Sequence, residues 1–136
     1  MKAKSTYSVK KWEENAYAQI SPEKKLTKAS VEYEFKGDLE GKATIEYLMC
    51  YTFAHEKDQH LSTAIYTGLL RFEGTLGARA GSFVMKDDGK FEGGVAASTL
   101  TIIGGSGTGA LAGIKGSGMY RASNEGFVFE VEYDVQ

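Results

Sequence analysis

The 136-residue sequence predicts an all-β fold, a single closed antiparallel β-barrel of about eight strands. Three observations carry this. Apolar and polar residues alternate with a period of two along regularly spaced segments, the pattern of strands with one dry and one wet face. All 17 glycines lie after residue 36, 14 of them between Gly68 and Gly118, and the only proline is Pro22. Each glycine costs a helix about 1 kcal/mol relative to alanine, so this distribution suits a sheet with many tight turns. The length corresponds to one domain, residues 1–136, able to bury about two-thirds of its unfolded surface without a disulfide or metal staple.

The elements follow in order. Tyr7–Trp12 is a weak strand. Residues 13–27 lack alternation and read as a short helix or an ordered crossing, broken at Ser21-Pro22-Glu23, that covers a barrel opening or flank with Trp12 and Tyr17 as anchors. Ala29–Lys36 alternates clearly. Ala43–Tyr51 and Val95–Ile103 are apolar on both faces, which calls for a cover from the N-terminal segment or another subunit. Ala64–Glu73, Ser82–Lys86 and Ser117–Ala122 are weaker strands, and Phe127–Val135 is the cleanest of all. Lys86-Asp87-Asp88-Gly89 and Asn124-Glu125-Gly126 carry turn residues. Gly37-Asp38-Leu39, Gly74-Thr75-Leu76 and Gly109-Ala110-Leu111 share a Gly-x-Leu pattern and read as equivalent hairpin corners, glycine making the bend and leucine plugging the barrel end.

Composition narrows the function classes. The formal charge is −2 and the pI about 5.7, which argues against a general nucleic-acid binder. Residues 1–28 carry seven lysines against three glutamates, the mark of a solvated face. One cysteine cannot form an internal disulfide, no apolar run approaches the ~20 residues of a membrane helix, and Met1–Thr6 lacks the apolar core of a signal peptide. The expectation is a cytoplasmic protein with no membrane or nucleic-acid partner and no cofactor.

Local motifs give little chemistry. Gly105-Ser106-Gly107-Thr108-Gly109-Ala110 has the spacing of a dinucleotide fingerprint, but Gly113, Gly116 and Gly118 interrupt the helix that the fingerprint needs, so a hairpin loop is expected. Lys115 lacks the glycine before it and the serine or threonine after it that a phosphate loop requires. His55 and His60 are five residues apart, not the four of a zinc-binding helix, and sit in a polar connection. A solvated loop is expected there, with no metal, against the competing reading of a surface site at His55, Asp58 and His60. Cys50, in Tyr47-Leu48-Met49-Cys50-Tyr51, reads as a buried small hydrophobe.

Glu46 lies mid-strand. Facing inward, its carboxyl would be desolvated, with a raised pKa, and fit to act as a general base; facing outward, it would pair with Arg71 or a lysine. Eight tyrosines and seven phenylalanines crowd the apolar strand faces, either filling the interior or lining a pocket for one small molecule. The leading expectation is a pocket for a small apolar ligand lined by Tyr33, Tyr47, Tyr66 and Tyr133, with Glu46 or Arg71 as polar anchor. The alternatives are an isomerase or cyclase with Glu46 as catalytic base, and a non-catalytic homo-oligomer assembled through the doubly apolar strands.

Several segments together resemble the bacterial domain-of-unknown-function family 3224. They are Trp12-Glu13-Glu14, Lys25–Val31, Gly41–Tyr51, Phe72–Val84, Gly89–Gly94 and Gly105–Gly113, with Gly74-Thr75-Leu76-Gly77 the most specific. The resemblance covers nearly the whole chain. It implies a fold similar to the allene oxide cyclase barrel, calycin-like, with eight antiparallel strands. It brings no catalytic set, since the family's activity is not established. Where the family often carries a Gln-His pair, this sequence has Lys86 and Asp87, so no role for that histidine carries over.

Overall fold

The computed structural model describes residues 1–135. Its strands are β1 (Lys2–Ser21), β2 (Lys24–Gly37), β3 (Leu39–Phe53), β4 (Thr63–Leu76), β5 (Arg79–Glu92), β6 (Val95–Ile102), β7 (Thr108–Gly109), β8 (Ile114–Ser123) and β9 (Gly126–Val135). All neighbours pair antiparallel in the order β4-β3-β2-β1-β9-β8-β6-β5, and β5 returns to β4, so eight strands form a ring. The two-residue β7 adds to the free stretch of β5 at Gly81 and Ser82. A single 3₁₀ turn, Gln59–Leu61, sits between β3 and β4, with the Asp58 side chain capping His60 N. No helix among the described residues is long and apolar enough to cross a membrane.

The alternation places one row of each strand inside. On β3, Ala43, Ile45, Tyr47, Met49 and Tyr51 are buried, while Lys42, Thr44, Glu46 and Leu48 are exposed. The seam is the shortest part of the ring apart from β7: β1 pairs with β9 only from Lys2 to Thr6, whereas it pairs with β2 as far as Ser21. Beyond Thr6, β1 runs on as a long arm along β2, which itself stays paired with β3 from Lys25 to Phe35.

Three expectations change. Residues 13–27 hold no helix; β1 continues to Ser21 and β2 begins at Lys24. Register shifts at Val9/Lys11 and Ala16/Ala18 insert extra residues and break the period of two, which hides the strand in the sequence. Lys86-Asp87-Asp88-Gly89 is no turn but the middle of β5, and the chain reverses instead at Gly93-Gly94. Finally, only β3 among the two doubly apolar strands presents a large apolar side chain outward from within the strand. Its Leu48 lies beside the exposed Ile65 and Leu69 of β4, whereas the outer row of β6 is Ala97, Thr99 and Thr101.

The interior is divided along the ring's axis. At one end, where the β2–β3, β4–β5 and β6–β8 connections lie, Leu39, Leu76 and Leu111 are fully buried, as the leucine plug requires. Phe35, Phe72, Phe83 and Phe129 pack behind them, with Phe35 and Phe129 at 4.7 Å and Phe72 and Phe83 at 5.3 Å between centroids. Such contacts add to the burial of large apolar area. The other half carries tyrosines and is hollow. A filled core and a lined pocket thus coexist, one at each end.

Candidate functional site

The hollow half encloses a cavity of about 660 Å³ that opens at the end holding the β1–β2 and β3–β4 connections. Its walls are mostly apolar and aromatic, with Trp12, Tyr7, Phe91 and Phe127 among them. Tyr33, Tyr47, Tyr66 and Tyr120 bring their hydroxyls together. Tyr47 Oη donates to Asp87 Oδ2 at 2.7 Å and lies 2.9 Å from Tyr120 Oη. Tyr120 Oη donates to Tyr66 Oη at 3.1 Å, and Tyr66 Oη lies 2.7 Å from Ser98 Oγ. Tyr33 Oη stands 3.4 Å from Tyr47 Oη.

Two glycines make this network possible. Tyr47, Gly68 and Asp87 occupy one row across β3, β4 and β5. A Cβ at Gly68 would sit 2.7 Å from Tyr47 Cδ1, so the missing side chain is the passage by which the phenol crosses β4. Tyr66, Gly89 and Ser98 repeat the arrangement one row away, and a Cβ at Gly89 would lie 2.6 Å from Tyr66 Oη.

Asp87 is wholly buried, and its Oδ1 has no hydrogen-bond partner among the described residues. Burial disfavours the charged carboxylate and pushes its pKa up to about 6, although the Tyr47 hydrogen bond pulls the other way. The same desolvation raises the Tyr33, Tyr47, Tyr66 and Tyr120 phenols, so all four stay protonated donors at neutral pH. Asp88 points the other way, accepts from Thr67 Oγ1 at 2.6 Å, and is lowered by that bond.

A second carboxylate lies on the cavity wall. Glu14 Oε2 accepts from Thr27 Oγ1 and Tyr51 Oη, each at 2.7 Å, and Oε1 accepts from Trp12 Nε1 at 3.0 Å. These bonds hold the arm's inward face, and Trp12 comes within 6.3 Å of the Tyr47 ring. At the rim, the Lys25 ammonium sits 4.9 Å from the centre of the Tyr51 ring.

The predicted site residues separate. Tyr33, Tyr47 and Tyr66 line the cavity. Tyr133 does not: it lies toward the plugged end, opposite Gly116, with its hydroxyl near Gly77. Glu46 is exposed on the outer face and accepts from Ser30 Oγ at 2.7 Å, so it is neither a desolvated base nor a polar anchor, and it does not pair with Arg71. Arg71 is also outside, 3.1 Å from Glu73. Strand parity decides both, because the buried neighbours Ile45, Tyr47, Leu70 and Phe72 take the inward positions. Cys50 is partly buried and shares an outer row with Leu26 and Ile65 rather than the core. His55 Nδ1 accepts from the backbone of Lys57 and Asp58, and no cluster of three His, Cys, Asp or Glu suited to a metal occurs among the described residues.

The reading of the sequence missed Asp87, Glu14 and Tyr120 as site residues. For Asp87 the signal was present: Phe83, Met85, Asp87, Gly89 and Phe91 continue one inward parity, in which the aspartate is the odd member.

A family model described as a protein of unknown function (DUF3224) matches residues 3–134. The chain belongs to the DUF3224 family. It is similar over its whole length to a solved DUF3224 structure, a protein with unknown function from Shewanella oneidensis MR-1, at 26% identity and a TM-score of 0.81, with 100% of this chain and 97% of that chain covered. No curated protein matches it. Membership of DUF3224 therefore accounts for the fold and assigns no activity.

Proposed function

We propose that this DUF3224 protein binds one small, mostly apolar molecule in the hollow half of a barrel, with a polar atom of the ligand directed at the tyrosine hydroxyls. The observation that carries the reading is the cavity itself. Its volume of about 660 Å³ lies in the range of small-molecule sites, and its apolar walls converge on a few fixed polar groups. The expected kinship with the allene oxide cyclase barrel enters as an analogy of architecture alone. Trp12, the only tryptophan, lies on the wall and reports occupancy. A panel of apolar small molecules is expected to shift its emission saturably, and a bulky Ala64→Phe substitution is expected to suppress the shift. Emission unchanged across the panel, together with a crystal structure showing the cavity filled by side chains, overturns the reading.

A second reading is favoured by Asp87. A carboxyl that burial pushes up to about 6, one hydroxyl away from the cavity, is suited to acid–base chemistry through Tyr47. In an isomerase or cyclase of this architecture, Asp87 and Tyr47 take the place once expected for Glu46. With an identified substrate, Asp87→Asn and Tyr47→Phe are expected to reduce kcat, whereas Glu46→Gln leaves it unchanged.

A further inference from the structure

We propose that the ligand is an organic cation, an apolar molecule carrying a substituted ammonium group. This rests on the binding role proposed above and narrows it to one ligand class. The rings of Tyr7, Trp12, Tyr47, Tyr51, Tyr66 and Phe127 line the cavity. Aromatic faces carry partial negative charge and attract cations, most strongly where water is excluded. Two carboxyls add to that field. Glu14 is held on the wall by three hydrogen bonds from Trp12, Thr27 and Tyr51. Asp87 stands directly behind the Tyr47 hydroxyl with one oxygen unpartnered. In a low-dielectric interior such charges act over longer distances than in water.

Among the described residues, Lys25 is the one basic side chain that lines the cavity. Its ammonium rests over the Tyr51 ring at the rim, so the protein already seats one cation on an aromatic face of this site. The groups facing Asp87 are the Tyr33, Tyr47, Tyr66 and Tyr120 phenols from β2, β3, β4 and β8, Ser98 from β6, Tyr7 from β1, and Asp88 on its own strand. None is a cation. A bound ammonium would supply the missing positive partner and favour the ionised carboxylate.

Two isosteric probes test this on the intact protein. Phenyltrimethylammonium and tert-butylbenzene differ in charge and hardly in shape. Titrations followed by Trp12 emission and by calorimetry at pH 8 are expected to give the cation a Kd about tenfold or more below that of the neutral probe. Asp87→Asn and Glu14→Gln are each expected to shrink that ratio by weakening the cation more than the neutral probe. For the native protein, the cation's affinity is expected to rise as the pH passes upward through about 6, where Asp87 ionises, with no such rise for tert-butylbenzene or for Asp87→Asn. Equal or tighter binding of the neutral probe overturns the cation proposal and leaves the apolar-binding reading standing. Binding of neither probe overturns both.

Discussion

At the scale of single residues, the consecutive aspartates Asp87 and Asp88 show how strand geometry assigns chemistry. One faces inward and is pushed up toward neutrality; the other faces water and is lowered by Thr67. Because folding raises the Asp87 pKa from 3.8 to about 6, the folded state binds the extra proton between those values. Its contribution is therefore complete below about pH 4 and is lost as the pH rises toward 6. Integrated over that window the loss is about 3 kcal/mol. Urea denaturation of native protein and Asp87→Asn in parallel is expected to show the native protein losing stability relative to the variant across pH 4 to 6, with a constant difference above. Gly68 offers a second prediction. Gly68→Ala drives a methyl into the path of Tyr47 and is expected to cost about 1–3 kcal/mol, measured by denaturation, and to weaken ligand-induced changes in Trp12 emission.

At the scale of elements, the stretch of β1 beyond Thr6 stands apart because its outer edge has left β9, while β2 stays paired with β3. Glu14 fastens it to β2 and β3 through Thr27 and Tyr51. Glu14→Ala removes a charged acceptor for three donors and is expected to cost about 2 kcal/mol. Hydrogen exchange is expected to accelerate in residues 12–28 and to remain unchanged in β4 and β5, which separates loosening of the arm from global unfolding. The number of strands in the ring was legible, with β2 and β9 clear as alternation, but β3 and β6 read as apolar on both faces and Tyr7–Trp12 reads as the first strand, past the Lys2–Thr6 stretch that joins β9. The arm was not, because bulges shift its parity and much of it is solvated. Within the site, Tyr33, Tyr47 and Tyr66 were legible as aromatic residues on apolar faces. Position along the axis was not: Tyr133 shares a strand row with Phe127, which lines the cavity, yet lies toward the plugged end, and the pairing register shows this. Glu46 and Arg71 could have been excluded by parity, but Asp87 was concealed by an Asp-Asp-Gly run whose composition suggests a turn.

At the scale of the whole molecule, the axial division into a phenylalanine-packed end and a tyrosine-lined end separates stability from binding. Substitutions at Phe72 or Phe83, whose ring neighbours are other phenylalanines, are expected to lower the melting temperature with little change in ligand affinity for protein that remains folded. Truncating one of these rings to alanine is expected to cost about 3–5 kcal/mol, measured by thermal denaturation. Tyr120→Phe, which keeps the ring and removes one hydroxyl from the network, is expected to affect recognition more than melting.

The narrow join between β1 and β9 also shapes how the chain reaches its native state. The hairpins from β2 to β6 can form from neighbouring segments, yet Ala3 must still find Val131 across almost the entire polypeptide. Such a distant pairing makes refolding slow, in the range of milliseconds to seconds rather than microseconds. Until it forms, the curled sheet has two raw borders at once, and self-association during refolding should begin from that unsealed species.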